Sequence, residues 1–126
     1  MEITIEFPGG DRVDAVMNGL RLATDQDGTA TSPFQLFLAS IGTCAGIYVS
    51  SFLRQRGLPT EGLVIRQRMV PDPASKLIGK IELTIELPPG VPEQYREAVI
   101  RSAQLCAVKK HLEAPPKFNV TTTVTG

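Results

Sequence analysis

At 126 residues the chain has the length of one domain with a single core, and a domain of that size folds without a metal or disulfide scaffold. Thirteen basic and thirteen acidic side chains cancel, so no basic field exists to hold a nucleic-acid backbone, and 42% hydrophobic residues exclude a disordered chain. Two cysteines are too few for a secreted disulfide framework.

The first third reads as a three-stranded meander. Met1, Ile3, Ile5 and Phe7 alternate with Glu2, Thr4 and Glu6, the period-two pattern of a half-buried strand. Such a start lacks the basic cluster and apolar run of a signal peptide, so a cytoplasmic location is expected. Pro8 to Asp11 is a turn, and Arg12 to Met17 gives a second strand with Val13, Ala15 and Met17 on one face. Asn18-Gly19 tolerates the positive φ of a type I′ hairpin turn, which returns the chain as a third strand over Leu20 to Thr24. Asp25 to Thr31 is a polar loop.

Ser32-Pro33-Phe34-Gln35 is a capping box with proline at the first helical position. The helix it opens is expected to run to Arg56, about 24 residues and roughly 36 Å, before Gly57 stops it and Pro59 prevents continuation. No charged residue occurs from Gly28 to Leu53, and Gly42 and Gly46 have the spacing of a membrane packing motif. Nine polar or helix-breaking residues interrupt the apolar character, however, so a buried central helix is the better reading and no membrane partner is expected. The two glycines then permit close approach of another backbone, and the partner expected there is the same helix of a second chain.

Leu63 to Met69 and Leu77 to Leu87 read as two further strands. A helix is expected from about Pro92, with a break near Cys106 and a short following turn through Lys109-Lys110-His111-Leu112. Lys117 to Thr125 is β-branched and reads as a last strand. The expected order is βββ-α-ββ-α-β, an α+β fold with antiparallel pairing in one domain spanning residues 1–126.

Few catalytic templates fit. His111 is the only histidine, no Gly-x-Ser-x-Gly elbow occurs, and no Gly-rich phosphate loop is present. Cys44 and Cys106 lie 62 positions apart with no ligand spacing for zinc, so neither a metal nor a cofactor is expected. On the residues alone, each cysteine reads first as a small buried hydrophobe. A local helix start and nearby lysines would favour a thiolate at Cys106, but ordinary burial explains the residue equally well.

The run from Ser32 to Cys44 resembles the central-helix motif of the OsmC/Ohr family, in which a proline-led helix start precedes small and apolar residues ending in a reactive cysteine. Cys106 to Leu112 resembles that family's second motif, where a cysteine opens a turn of helix. The resemblance implies thiol-dependent reduction of organic or inorganic hydroperoxides. Cys44 would be the attacking thiolate, Cys106 its disulfide partner, and an external dithiol the reductant. It also implies an arginine from the N-terminal strands that favours the thiolate, best matched by Arg12 and otherwise by Arg21. An intertwined homodimer is implied as well.

Two positions depart from the pattern. Phe34 stands where the hydroperoxide-resistance branch carries a glutamate, and it lies about 80° around the helix from Cys44; Gln35 lies about 180° away. Ala107 stands where many relatives carry proline. A non-peroxidatic ligand-binding or redox-sensing protein on the same scaffold is therefore the alternative reading.

Overall fold

The computed structural model describes residues 1–125. They form an α+β fold with two antiparallel sheets and three α-helices, in two compact units, Met1–Ser40 and the chain from Ile41 onward.

The first unit holds β1 (Thr4–Gly9), β2 (Arg12–Met17) and β3 (Leu20–Thr24), paired in that order. Asn18 and Gly19 both take positive φ, 48° and 76°, so the turn has the expected mirror-image form and sets Met17 opposite Leu20. Glu6 faces Asp14 across the first ladder, and Val16 faces Arg21 across the second. Because alternate residues share a face, Glu6, Arg12, Asp14 and Arg21 stand on the same side of this sheet.

Helix α1 spans Pro33–Gln55. Its capping box forms as read: the Gln35 N–H donates to Ser32 Oγ, and the Ser32 N–H donates to Gln35 Oε1, both at 3.2 Å. At the other end Gly57 takes φ +65°. Its N–H donates to the Arg54 carbonyl and that of Leu58 to the Leu53 carbonyl, which satisfies the last carbonyls in a Schellman arrangement. By length and composition α1 is able to cross a membrane. Yet Ile41, Ala45, Val49 and Leu53, spaced four apart, form a buried stripe along it.

In the second unit β4 (Val64–Pro71) pairs with β5 (Ile78–Glu86). One face carries Arg68–Glu82 and Arg66–Glu86 ion pairs at 2.6 and 2.7 Å. The other face supplies Ile65, Leu83 and Ile85 to a core of Ala45, Val49, Leu53, Val99 and Ala103. The expected second helix is divided into a 3₁₀ turn over Glu93–Tyr95, α2 over Arg96–Ala103 and α3 over Ala107–Glu113.

One expectation is corrected. Lys117 to Thr125 forms no strand among the described residues; Phe118, Val120 and Val124 are each at least 89% exposed. A β-branched run becomes a strand only where a ladder partner takes its N–H and carbonyl groups, and none of the five strands pairs with it. Within the chain the glycines of α1 meet side chains of β4: a Cβ on Gly42 would collide with Gln67 Oε1, and one on Gly46 would touch Ile65 Cδ1 at 3.8 Å.

Candidate active site

Cys44 lies on α1 one residue before the buried Ala45, and this offset leaves its thiol half-buried. Cys106 follows the end of α2, where the Leu105 N–H closes a turn onto the Ser102 carbonyl. It is the N-cap of α3, with φ −48° and ψ 127°, and only 1% of it is exposed. The break in the helix expected near Cys106 is thus what aims the first amides of α3 outward rather than into a continuous helix.

Those amides meet Cys44. Its thiol is held below the usual thiol range, first by the Val108 backbone N–H, then by a hydrogen bond from Cys106 and by the Ala107 N–H, against the opposing effect of burial. Cys106 moves the other way. Burial raises its thiol most, and donating to Cys44 raises it further, with the Lys109 and Val108 amides only partly offsetting this. Two residues of one chemical type therefore hold their protons differently: the accessible sulfur tends to thiolate and the buried one keeps its hydrogen. Both thiols are free.

Arg12 opens β2 and pairs with Asp14, Nε to Oδ1 at 2.7 Å and Nη2 to Oδ2 at 3.1 Å. Arg21 reaches the same carboxylate at 3.0 Å and Glu6 at 2.8 Å. Asp14 is only 1% exposed, and its carboxyl sits below the usual range, chiefly through the Arg12 hydrogen bond. So the fold brings Cys44 together with Cys106, and brings both candidate arginines together on one carboxylate. Asp14 was missed by sequence reading. Its signal was available in the Arg-x-Asp spacing, which puts both side chains on one face of a strand. Phe34, at the family's acidic position, stacks on Phe37 with ring centroids 5.9 Å apart.

No group of three histidine, cysteine, aspartate or glutamate side chains among the described residues is placed to hold a metal ion. Beside β1 to β3, Ile5, Val13, Ala15, Leu36 and Phe37 line an apolar groove of about 460 Å³ within the first unit.

The family model described as OsmC-like protein matches residues 25–121. Three solved structures show the same fold. A Psychrobacter arcticus 273-4 protein, described as a candidate osmotic stress induced and detoxification response protein, superposes with a TM-score of 0.72 at 17% identity, covering 86% of this chain and 85% of that one. An OsmC like protein from Mycoplasma pneumoniae gives 0.70 at 14% identity, with 90% and 87% covered. An organic hydroperoxide resistance protein OsmC from Legionella pneumophila, titled a predicted redox protein and regulator of sulfide bond formation, gives 0.54 at 20% identity, with 89% of each chain covered. No curated protein sequence matches the chain.

Proposed function

This chain belongs to the OsmC-like family, and from that membership we propose that it is a thiol-dependent peroxidase that reduces hydroperoxides in the cytoplasm as part of a stress response. The observation that carries the reading is the placement of the Cys44 thiol against Cys106 and the amides of Val108 and Ala107. The hydroperoxide resistance named for the Legionella relative agrees with it.

In this reading the Cys44 thiolate attacks the terminal oxygen of ROOH. An S–O bond forms, the O–O bond breaks, and the departing alkoxide takes a proton from solvent to leave as ROH. Cys44 is then a sulfenic acid. The Cys106 sulfur attacks it, the S–S bond forms, and water leaves with the Cys106 proton. An external dithiol restores both thiols by exchange. The opposite proton affinities of the two sulfurs suit these roles, since the attacking group must be a thiolate and its partner must wait. Arg12 is assigned the support of the thiolate, with Asp14 supplying the carboxylate partner that Phe34 does not.

The working form is a homodimer, and the whole chain one OsmC-like domain. Ile47, 65% exposed in the middle of α1, and Phe118 and Val120, 89% exposed, are apolar surface that a second copy would cover. α1 is accordingly read as a core helix and not a membrane span. Concentration-dependent unfolding would report the dimer; a cooperatively folded monomer at micromolar concentration would remove it.

The test of the activity uses reduced protein, cumene hydroperoxide and a dithiol. The protein should consume hydroperoxide, Cys44→Ser should abolish consumption, and Cys106→Ser should allow sulfenic acid to form without turnover to a disulfide. Absence of consumption with every hydroperoxide tried overturns the reading. A second reading, a ligand-binding or redox-sensing protein, draws on Phe34 and the apolar groove beside it. It requires a Cys44 thiol that titrates at or above the ordinary value of about 8.5.

A further inference from the structure

His111 lies on α3 one turn after Ala107, and its Nδ1 is 2.7 Å from the Ala107 carbonyl oxygen. A carbonyl oxygen only accepts, so Nδ1 carries the hydrogen and donates it. The Ala107 carbonyl and the Val108 N–H are the two ends of one peptide group. That N–H is the foremost donor acting on the Cys44 sulfur. A hydrogen bond accepted at the carbonyl draws electron density away from the nitrogen and makes the N–H at the other end a better donor. We propose that His111 is a positioning residue for Cys44: through the Ala107–Val108 peptide group, its ring N–H strengthens the amide that holds the Cys44 thiolate and fixes the first turn of α3 beneath it. The inference rests on the reading of Cys44 as a thiolate nucleophile and gives a role to the only histidine in the chain.

The charges carried by α3 are Lys109, paired with Glu113 at 3.2 Å, and Lys110. They stay in place in every variant below. Helix propensity supplies a control, because alanine is a better helix former than histidine or asparagine. Asparagine is neutral and carries its side-chain N–H donor as many bonds from the backbone as the ring Nδ1, so it restores the bond to the Ala107 carbonyl. Loss of the bond and fraying of α3 therefore predict opposite orders for the two substitutions.

The experiment measures the rate of alkylation of the reduced, full-length protein by iodoacetamide across pH, with the modified residue identified by mass spectrometry. Cys106 is buried, so Cys44 is the reacting thiol. His111→Ala should slow alkylation on the low-pH limb by roughly two- to fourfold and move the inflection to higher pH, a polarised charge-assisted bond being strengthened by a fraction of its worth. His111→Asn should recover most of the loss. An unchanged profile for His111→Ala overturns the proposal. So does a His111→Asn variant as slow as the alanine one, because loss of the ring itself would slow both alike, or a slower one, because fraying would give that order. No hydroperoxide enters the assay, so failure of peroxidase activity and failure of this inference are read separately.

Discussion

Gly46→Ala tests the packing that places Cys44. The glycine sits in the interior of α1, where glycine costs about 1 kcal/mol relative to alanine. The added Cβ would meet only Ile65 Cδ1, at 3.8 Å, an ordinary van der Waals contact. Nothing in the chain opposes the methyl group, so the propensity gain should appear nearly whole, as about 1 kcal/mol of added stability. For a chain of 126 residues, with an unfolding entropy of about 2.1 cal/mol/K per residue, that is a rise of about 4 °C in Tm. Gly42→Ala differs, because its Cβ lands on the Gln67 side-chain amide, which must swing aside. There the gain should be cancelled to within about 1 kcal/mol by the contacts Gln67 gives up. Urea unfolding followed by circular dichroism, at several protein concentrations, measures both. A Gly46→Ala protein destabilised by about 1 kcal/mol or more, with a loss that changes on dilution, would refute the reasoning. It would mean that a second copy's helix lies against this face.

Leu53→Ala removes a fully buried side chain from the core shared by α1 and α2 and should cost about 2–5 kcal/mol in urea unfolding. Cys106→Ala should change the alkaline limb of stability. The Cys106 thiol is raised in the fold, first by burial, so its contribution is intact below the ordinary thiol value and falls away as pH climbs past it; unfolding measured from about pH 7 to pH 11 should flatten in the variant. Asp14→Asn should flatten the acid limb instead. That carboxyl is lowered, chiefly by Arg12, so its contribution is present above the ordinary carboxylate value and lost as pH falls through its folded value. Ala107→Pro keeps a residue suited to the first position of a helix but deletes one N–H at Cys44. It should slow alkylation of Cys44 at neutral pH by about tenfold at most, since Val108 remains the leading donor. An unchanged rate would remove Ala107 from the site.

The parts of this fold that could be read from sequence are those built by short-range bonds. Ser32 and Gln35 cap α1 across three residues, Asn18 and Gly19 make their turn by backbone conformation alone, and Gly57 ends the helix with bonds to Arg54 and Leu53. Each of these carries its reason within one turn of chain. What could not be read depends on distant partners. The glycines of α1 announce that something approaches closely, but not that it is Gln67 and Ile65 on β4. The stretch after Lys117 has strand propensity and no ladder partner among the described residues, so propensity has nothing to act on. Asp14 stands out only once the fold closes Arg12 and Arg21 over it. The cysteine pair falls between these cases. Resemblance singles out both residues, but nothing local to either says that the amides after Cys106 act on Cys44.

That last point changes the meaning of one departure from the family pattern. Proline after the second cysteine, as in many relatives, has no N–H and leaves that end of the helix with one donor fewer. Alanine at 107 supplies the missing N–H, and it is one of the groups that lower Cys44. Its carbonyl, in turn, receives the His111 ring and shares a peptide group with the Val108 N–H. Two successive peptide groups, one on each side of Ala107, are thus turned toward the same sulfur, and a third donor is the thiol of Cys106, the residue just before them. A thiolate held by several weak donors is stabilised without any of them becoming a full charge that must be carried through the reaction. Burial, and donation to Cys44, keep the proton on Cys106, so on the proposed mechanism the sulfur required second is the one less able to react first.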